Sequence, residues 1–256
     1  MRLAFARFAI LLAAIAAAAG CALAPAPADE VHLADVAPRE LAPFSAAHPG
    51  APPPPGWRKW HLARFKKPTR YDLIQKDGAT VVEARADGSA SALLHALDNL
   101  DPRNYRHLSW RWKAENLVRD QDNTRAATED APVRLVVRFD GDRNKLDFTE
   151  RMFMSQVKAV TGQELPYATL MYIWARKSPP ETVITSRFTE RIRMIVATSG
   201  ESGVGSWQSI QRDLYEDFRR AYGEEPGRIT GIGIMTDTDN TGDSVRAWYG
   251  DIMLRK

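Results

Sequence analysis

The sequence predicts an all-β fold, a two-sheet antiparallel sandwich of the jelly-roll kind with one or two accessory helices. Two observations lead there. Eight segments after residue 56 read as strands, several of them alternating apolar with polar residues at period two, and only two stretches carry a helical period. The 200 residues from Trp57 onward are enough for one domain with a substantial core, and no internal repeat or second linker divides them.

In chain order, strands are predicted over 71–74, 80–86, 108–114, 133–139, 170–174, 192–196, 229–236 and 245–254. The third alternates strictly: Leu108, Trp110, Trp112 and Ala114 point one way and Ser109, Arg111 and Lys113 the other. Val133, Leu135, Val137 and Phe139 repeat the pattern, with Arg134 and Arg138 opposite. Leu170, Tyr172 and Trp174 alternate with Met171 and Ile173, so that strand is predicted to be covered on both faces. In the last strand Ala247 and Tyr249 share one parity and Ile252 and Leu254 the other, which predicts a bulge near Gly250.

Trp207, Ile210, Leu214, Phe218 and Ala221 recur at helical spacing, with Ser206 to cap the start and Gly223 and Pro226 to close the end. A weaker helix is predicted over 150–160, capped by Thr149, with Phe148 and Phe153 as a hydrophobic staple.

Residues 1–20 read as an export signal: Arg2 and Arg7 precede an apolar run too short to span a bilayer. Cys21, the single cysteine, follows Ala18-Ala19-Gly20, a run that resembles the lipobox of bacterial lipoproteins with Ala18 where Leu is usual. That resemblance implies cleavage before Cys21, lipidation of its thiol and a membrane partner; the absence of Asp after Cys21 favours the outer membrane, facing the periplasm. The alternative is an ordinary signal and a soluble periplasmic product. Residues 21–56, rich in Ala and Pro and ending in Pro52 to Pro55, read as a tether, and residues 57–256 as the folded domain.

With residues 1–20 removed, 33 basic and 32 acidic side chains remain, so no basic excess points to nucleic acid. One cysteine excludes a disulfide framework and a Cys-rich metal centre. No histidine follows His107 and no Gly-x-Ser-x-Gly elbow is present, which argues against a Ser-His nucleophile.

Asp237-Thr238-Asp239-Asn240-Thr241-Gly242-Asp243 places hard oxygen ligands at alternate positions and a glycine at the sixth. Asp237, Asp239 and Asp243 are therefore candidate ligands for a structural calcium, the one cofactor the sequence suggests, against a polar turn that bonds its own backbone. Asp130, Arg134, Trp174, Asp237, Asp239 and Asn240 are the candidate ligand-binding residues. Arg134 follows Asp130 closely enough for a structural ion pair at a sheet edge, or else lines a concave face and offers a fork to a ligand. Asp213 and Asp217, one helical turn apart beside Arg212 and Arg219, read as a solvated helix face. Trp110 and Trp112 belong to the core by parity, and Trp57, Trp60 and Trp248 are the tryptophans expected to be partly exposed. No residue is assigned a catalytic role.

The segments Leu108 to Lys113, Tyr172 to Ala175 and Met235 to Gly242 resemble DUF3047, a bacterial envelope family with no established activity, over roughly 57–256. Looser is a resemblance to carbohydrate-binding modules of the galactose-binding jelly-roll kind, carried by Trp248-Tyr249-Gly250-Asp251-Ile252. It implies a fold, and a fold alone does not fix a function. The expected function is non-catalytic recognition of a glycan or other envelope component. The alternatives are a carboxylate-based polysaccharide enzyme and an assembly lipoprotein whose helix over 207–222 meets a protein partner.

Overall fold

A computed structural model describes residues 41–63 and 65–256. Residues 1–20, Cys21 and the tether as far as residue 40 lie outside the described residues.

Among the described residues twelve strands form two sheets. They are β1 (Trp57–His61), β2 (Arg70–Lys76), β3 (Ala79–Asp87), β4 (Ala90–Leu100), β5 (His107–Ala114), β6 (Ala131–Phe139), β7 (Ala168–Ala175), β8 (Val183–Thr185), β9 (Ile192–Ser199), β10 (Gln208–Asp213), β11 (Ile229–Asp237) and β12 (Ser244–Arg255). One sheet runs β1-β4-β11-β6-β7-β9-β8 and the other β10-β5-β12-β3-β2. Every pair is antiparallel except β7 with β9. Chain connections cross repeatedly between the sheets, as in a jelly roll.

The core lies between the two inner faces, where the alternation places it. Leu108, Trp110 and Trp112 of β5 meet Val133, Leu135, Val137 and Phe139 of β6 and Tyr172 and Trp174 of β7 in one continuous cluster. Trp110 packs 5.0 Å from Tyr172 and 5.3 Å from Trp112 between ring centroids, separations at which aromatic pairs add to area burial. The register of β12 against β5 shifts between Tyr249 and Ile252, so the expected bulge spans Gly250. Trp57 and Trp248 are buried rather than partly exposed, and Trp60 alone of those three is half-buried.

The helix expected over 207–221 is in its first half a strand. Gln208–Asp213 pairs with His107–Trp112 of β5, and only Leu214–Tyr222 is helical, α2 when counted after α1 (Phe148–Thr161). Asp213 rather than Ser206 caps α2, accepting a hydrogen bond from the Glu216 backbone N–H at 3.1 Å. The open edge of β5 offers a full ladder, and that outweighs a helical spacing in which Ile210 fits either period. In α1 the cap is Asp147, two residues before the expected Thr149. Phe148 therefore occupies the first helical position, 71% exposed, instead of closing a staple onto Phe153.

Asp217 is not on a solvated face. It is buried, and it accepts from the Tyr172 hydroxyl at 2.8 Å and from Arg212 at 2.7 and 2.6 Å. Arg212 also reaches Glu181, a residue with φ of 68° that Arg220 holds at 2.8 Å from the other side. Arg212 and then Arg220 draw the Glu181 carboxyl from its ordinary 4.5 down to about 2. A carboxyl depressed on folding stabilises the fold above its unfolded value and ceases to do so as pH falls through the folded one. Acid titration followed by near-ultraviolet circular dichroism should therefore show a loss of stability between about pH 4.5 and pH 2 that Glu181→Gln reduces. An identical acid limb in the variant would contradict this pairing.

The tether expected as far as residue 56 ends earlier. Residues 41–56 join the sandwich: Phe44 is fully buried with its ring 4.6 Å from that of Trp57. The Trp57 indole N–H donates to the Ala42 carbonyl at 2.9 Å, Ser45 donates twice to Asp251, and the Gly50 N–H reaches the Leu73 carbonyl at 2.8 Å. Proline-rich sequence here forms an edge strap rather than a free linker.

Candidate functional site

The acidic turn joins β11 of one sheet to β12 of the other at one end of the sandwich. Gly242, at φ of +70°, lets it close back onto Thr238, whose carbonyl accepts the Gly242 N–H at 2.8 Å. Thr238 is pinned in turn to the β3–β4 connection through the Ser89 carbonyl at 2.9 Å.

Asp130, just before β6, reaches under this turn. One of its oxygens accepts from the Asn240 N–H at 3.2 Å; the other accepts from the Thr241 N–H at 2.8 Å and the Thr241 hydroxyl at 2.6 Å. Arg134 pairs with Asp237, not with Asp130. Its Nε and Nη2 bond the two Asp237 oxygens at 2.7 and 2.9 Å, a bidentate fork, and Nη2 also bonds the Glu129 carbonyl. β6 lies inside its sheet, so this pair is not at an edge. Arg134 is 2% exposed and Asp237 3%, which leaves no fork free for an outside ligand.

Burial raises the Asp237 carboxyl to about 6, against the pull of Arg134, with Asp130 and Asp239 adding to the rise. For Arg134 burial acts downward, and Asp237 outweighs it so that the guanidinium is held above its ordinary value. The two directions pull apart within one pair. Its bidentate geometry and the permanent charge of arginine decide for an ionised pair at neutral pH.

Asp239, half-buried, pairs with Lys66 from the β1–β2 connection. Oxygens of Asp130, Asp237 and Asp239 lie within 4.8 Å of one another, which makes these three, and not the expected set with Asp243, the carboxylates that converge. Asp243 faces away to Arg119, accepting its N–H at 2.9 Å and lying 3.3 Å from its guanidinium. Such a triad can attract a hard cation. Here Lys66 and Arg134 already supply two positive charges, and backbone and hydroxyl donors fill much of the remaining capacity. If the ammonium of Lys66 does the work of a cation, the melting temperature should be the same in calcium as in chelator. A rise of several degrees in calcium would show that a metal displaces Lys66.

Asn240 is exposed at the rim of the turn. Trp174 is fully buried, its indole N–H donating to the Gly200 carbonyl at 3.0 Å, so it offers no stacking face. His95 is buried 5.3 Å from Trp57, and burial lowers its pKa. Lys66, Glu129 and Thr241 were outside the expected site. Their contribution depends on loops from three parts of the chain meeting, and nothing in local spacing announces it.

A family model for proteins of unknown function, DUF3047, matches residues 55–253. The chain belongs to the DUF3047 family. The match runs from just before β1 to near the end of β12 and brings no activity with it. No curated protein matches this DUF3047 chain by sequence. Among solved structures it is similar to a family 11 carbohydrate-binding module of Clostridium thermocellum in complex with a β-1,3-1,4-mixed-linked tetrasaccharide. The identity is 11% and the TM-score 0.40, over 85% of this chain and 94% of that one. A family 30 carbohydrate-binding module is similar at 10% identity and a TM-score of 0.39, over 85% and 88%.

Proposed function

We propose that this DUF3047 protein is a lipid-anchored envelope module that binds a glycan or other envelope component without acting on it chemically. The observation that carries the reading is the state of the converging carboxylates. Two-carboxylate glycan hydrolysis needs one group free to donate a proton and a second free to attack or to activate water, with the sugar between them. Asp130 and Asp237 are instead buried and committed to the chain's own donors. They lock the acidic turn between the sheets.

Anchoring rests on the sequence at Cys21 alone. Among the described residues no helix is long and apolar enough to cross a membrane. Cys21→Ser is expected to move the protein from the membrane fraction to the soluble periplasmic fraction; continued sedimentation with membranes would remove the anchor from the proposal. Ligand recognition is tested by a glycan array probed with the purified chain, and the absence of any retained glycan would overturn it.

A second reading, docking to a protein partner, is favoured by exposed apolar side chains. Phe148 and Met152, 43% exposed, lie one turn apart on α1, and Phe188 is 53% exposed. The buried side chains Leu214, Phe218 and Ala221 face the core, so α2 presents no such stripe. Cross-linking that captures one envelope protein in the parent, and loses it with Phe148→Ser, would favour this reading over glycan binding.

A further inference from the structure

The outward face of the five-stranded sheet is built unlike the rest of the surface. On β12 the residues Val245, Ala247 and Tyr249 point into the core, so Arg246 and Trp248 point out. Lys113 and Arg111 of β5 lie outward beside them, as do Glu83 and Arg85 of β3, Lys76 of β2 and Trp207 at the start of β10.

These side chains interlock across strands. The Lys76 ammonium sits 3.9 Å above the centroid of the Trp248 ring, with Arg246 at 5.4 Å and Lys113 at 5.9 Å. The Arg111 guanidinium lies 4.7 Å from the Trp207 ring, and the Trp207 indole N–H donates to Asp77 at 2.8 Å. Arg111 can lie flat because its neighbour on β12 is Gly250, where a Cβ would fall 2.6 Å from the Arg111 Cγ. Arg85 and Arg246 converge on Glu83, whose carboxylate also accepts from the Trp248 indole at 3.2 Å. Burial would raise the Glu83 pKa, and the hydrogen bonds of Arg246 and Arg85 outweigh it and hold it below its ordinary value. A shallow cleft of about 380 Å³ continues the track, lined by Arg85, Glu115, Asn116, Ser244 and Arg246.

Charge on this face is not balanced. Asp72 is paired with Arg70 and Asp87 with Lys67; beyond those pairs Lys76, Arg85, Arg111, Lys113 and Arg246 face Asp77, Glu83 and Glu115, and among the described residues Lys76 and Arg111 have no carboxylate within 4.0 Å. Both are held against tryptophan rings instead. A neutral sugar needs aromatic faces and polar groups but no such excess of cations. A nucleic acid reading would need a far stronger basic field than the near-neutral exported chain supplies.

We propose that this face binds an anionic saccharide chain, its carboxylate or phosphate groups taken by Lys76, Arg111 and the Arg85–Arg246 pair and its rings lying along Trp207, and along Trp248 only once Lys76 has moved off that buried ring. The inference rests on the glycan-binding reading and narrows it to acidic polymers. Guanidinium forks donate to carboxylate and phosphate oxygens equally well, so the shared anionic chemistry defines the class. Lys76 is the side chain that moves when ligand arrives, because it covers the Trp248 ring.

The test uses the full chain, carrying its anchor, in detergent, with affinity read by calorimetry. Probes are oligogalacturonate, a phosphomannan fragment, neutral cellohexaose and inorganic polyphosphate. One or both acidic saccharides should bind at least about tenfold more tightly than cellohexaose and polyphosphate, the tighter naming the anion. Lys76→Glu and Arg111→Glu, both surface changes checked by an unaltered melting curve, should each weaken that binding about tenfold or more, and Trp207→Ala likewise. Lys158→Glu on α1 should change nothing.

Equal binding of polyphosphate would overturn the inference, since charge alone would then suffice. Binding of cellohexaose that survives Lys76→Glu and Arg111→Glu would overturn it while leaving glycan recognition standing elsewhere on the domain. No binding of any probe, together with an empty glycan array, would remove both.

Discussion

Asp237→Ala is expected to destabilise the domain by about 3–5 kcal/mol, the cost of leaving a buried charge without its partner. The magnitude follows from what remains behind. Arg134 stays buried and charged, its fork loses both carboxylate bonds, and among the described residues the Glu129 carbonyl and two methionine sulfurs are the hydrogen-bond partners left to it. The same substitution frees the Ala131 N–H, which donates to Asp237 at 3.2 Å. Urea denaturation gives the loss as a shift in midpoint at constant slope. Replacing both partners, Asp237→Leu with Arg134→Met, should recover most of the loss, because two well-packed apolar side chains remove the desolvation cost that the pair had to offset. A single-mutant loss below about 1 kcal/mol would mean that the pair is solvated and available to ligand.

Phe44→Ala is expected to cost about 3–5 kcal/mol, as for other fully buried phenylalanines. Phe44 lies 13 residues before β1, inside a segment whose composition reads as a linker. Its ring fills space beside Trp57 in the main core, and the three-residue turn from Phe44 to Ala46 sets it there. A free tether would lose nothing on this change. Thermal unfolding therefore separates the two descriptions, and a melting temperature within about a degree of the parent would return residues 41–56 to the linker.

Legibility followed the way each element is buried. β5 and β12 have one face on the core and one toward polar surroundings, and period two shows it in the residues themselves; β6 is buried on both faces, but Arg134 and Arg138 on the second face still mark the period. β4, from Ala90 to Leu100, was not anticipated because it is apolar on both faces and made largely of alanine and leucine, which favour helix as readily as strand. Trp207 and Ile210 fit a helical stripe that continues into α2, and only the unpaired edge of β5 decides that the first half is a strand.

For the acidic turn, Asp130, Arg134, Asp237 and Asp239 could each be singled out from type and position. Their partners could not. Arg134 stands opposite Met235 in the ladder, and a register shift after Met235 swings Asp237 round to Arg134 across a separation of 103 residues. Local spacing favours Asp130 as the partner, while the bulge selects Asp237. The basic and aromatic face of the second sheet was legible in part, since the outward parity of Arg111 and Lys113 is explicit in β5. Its assembly with Trp207, Trp248 and Lys76 depends on strand order.

The role proposed for this sandwich is binding without catalysis, with its carboxylates spent on holding the sheets together. The direct measurement is release of new reducing ends from a retained glycan incubated with the full chain, compared with buffer and with Asp239→Asn, the most accessible of the three acids. No release above buffer is expected from either protein, with binding unchanged between them. Time-dependent release by the parent chain that disappears in Asp239→Asn would contradict it.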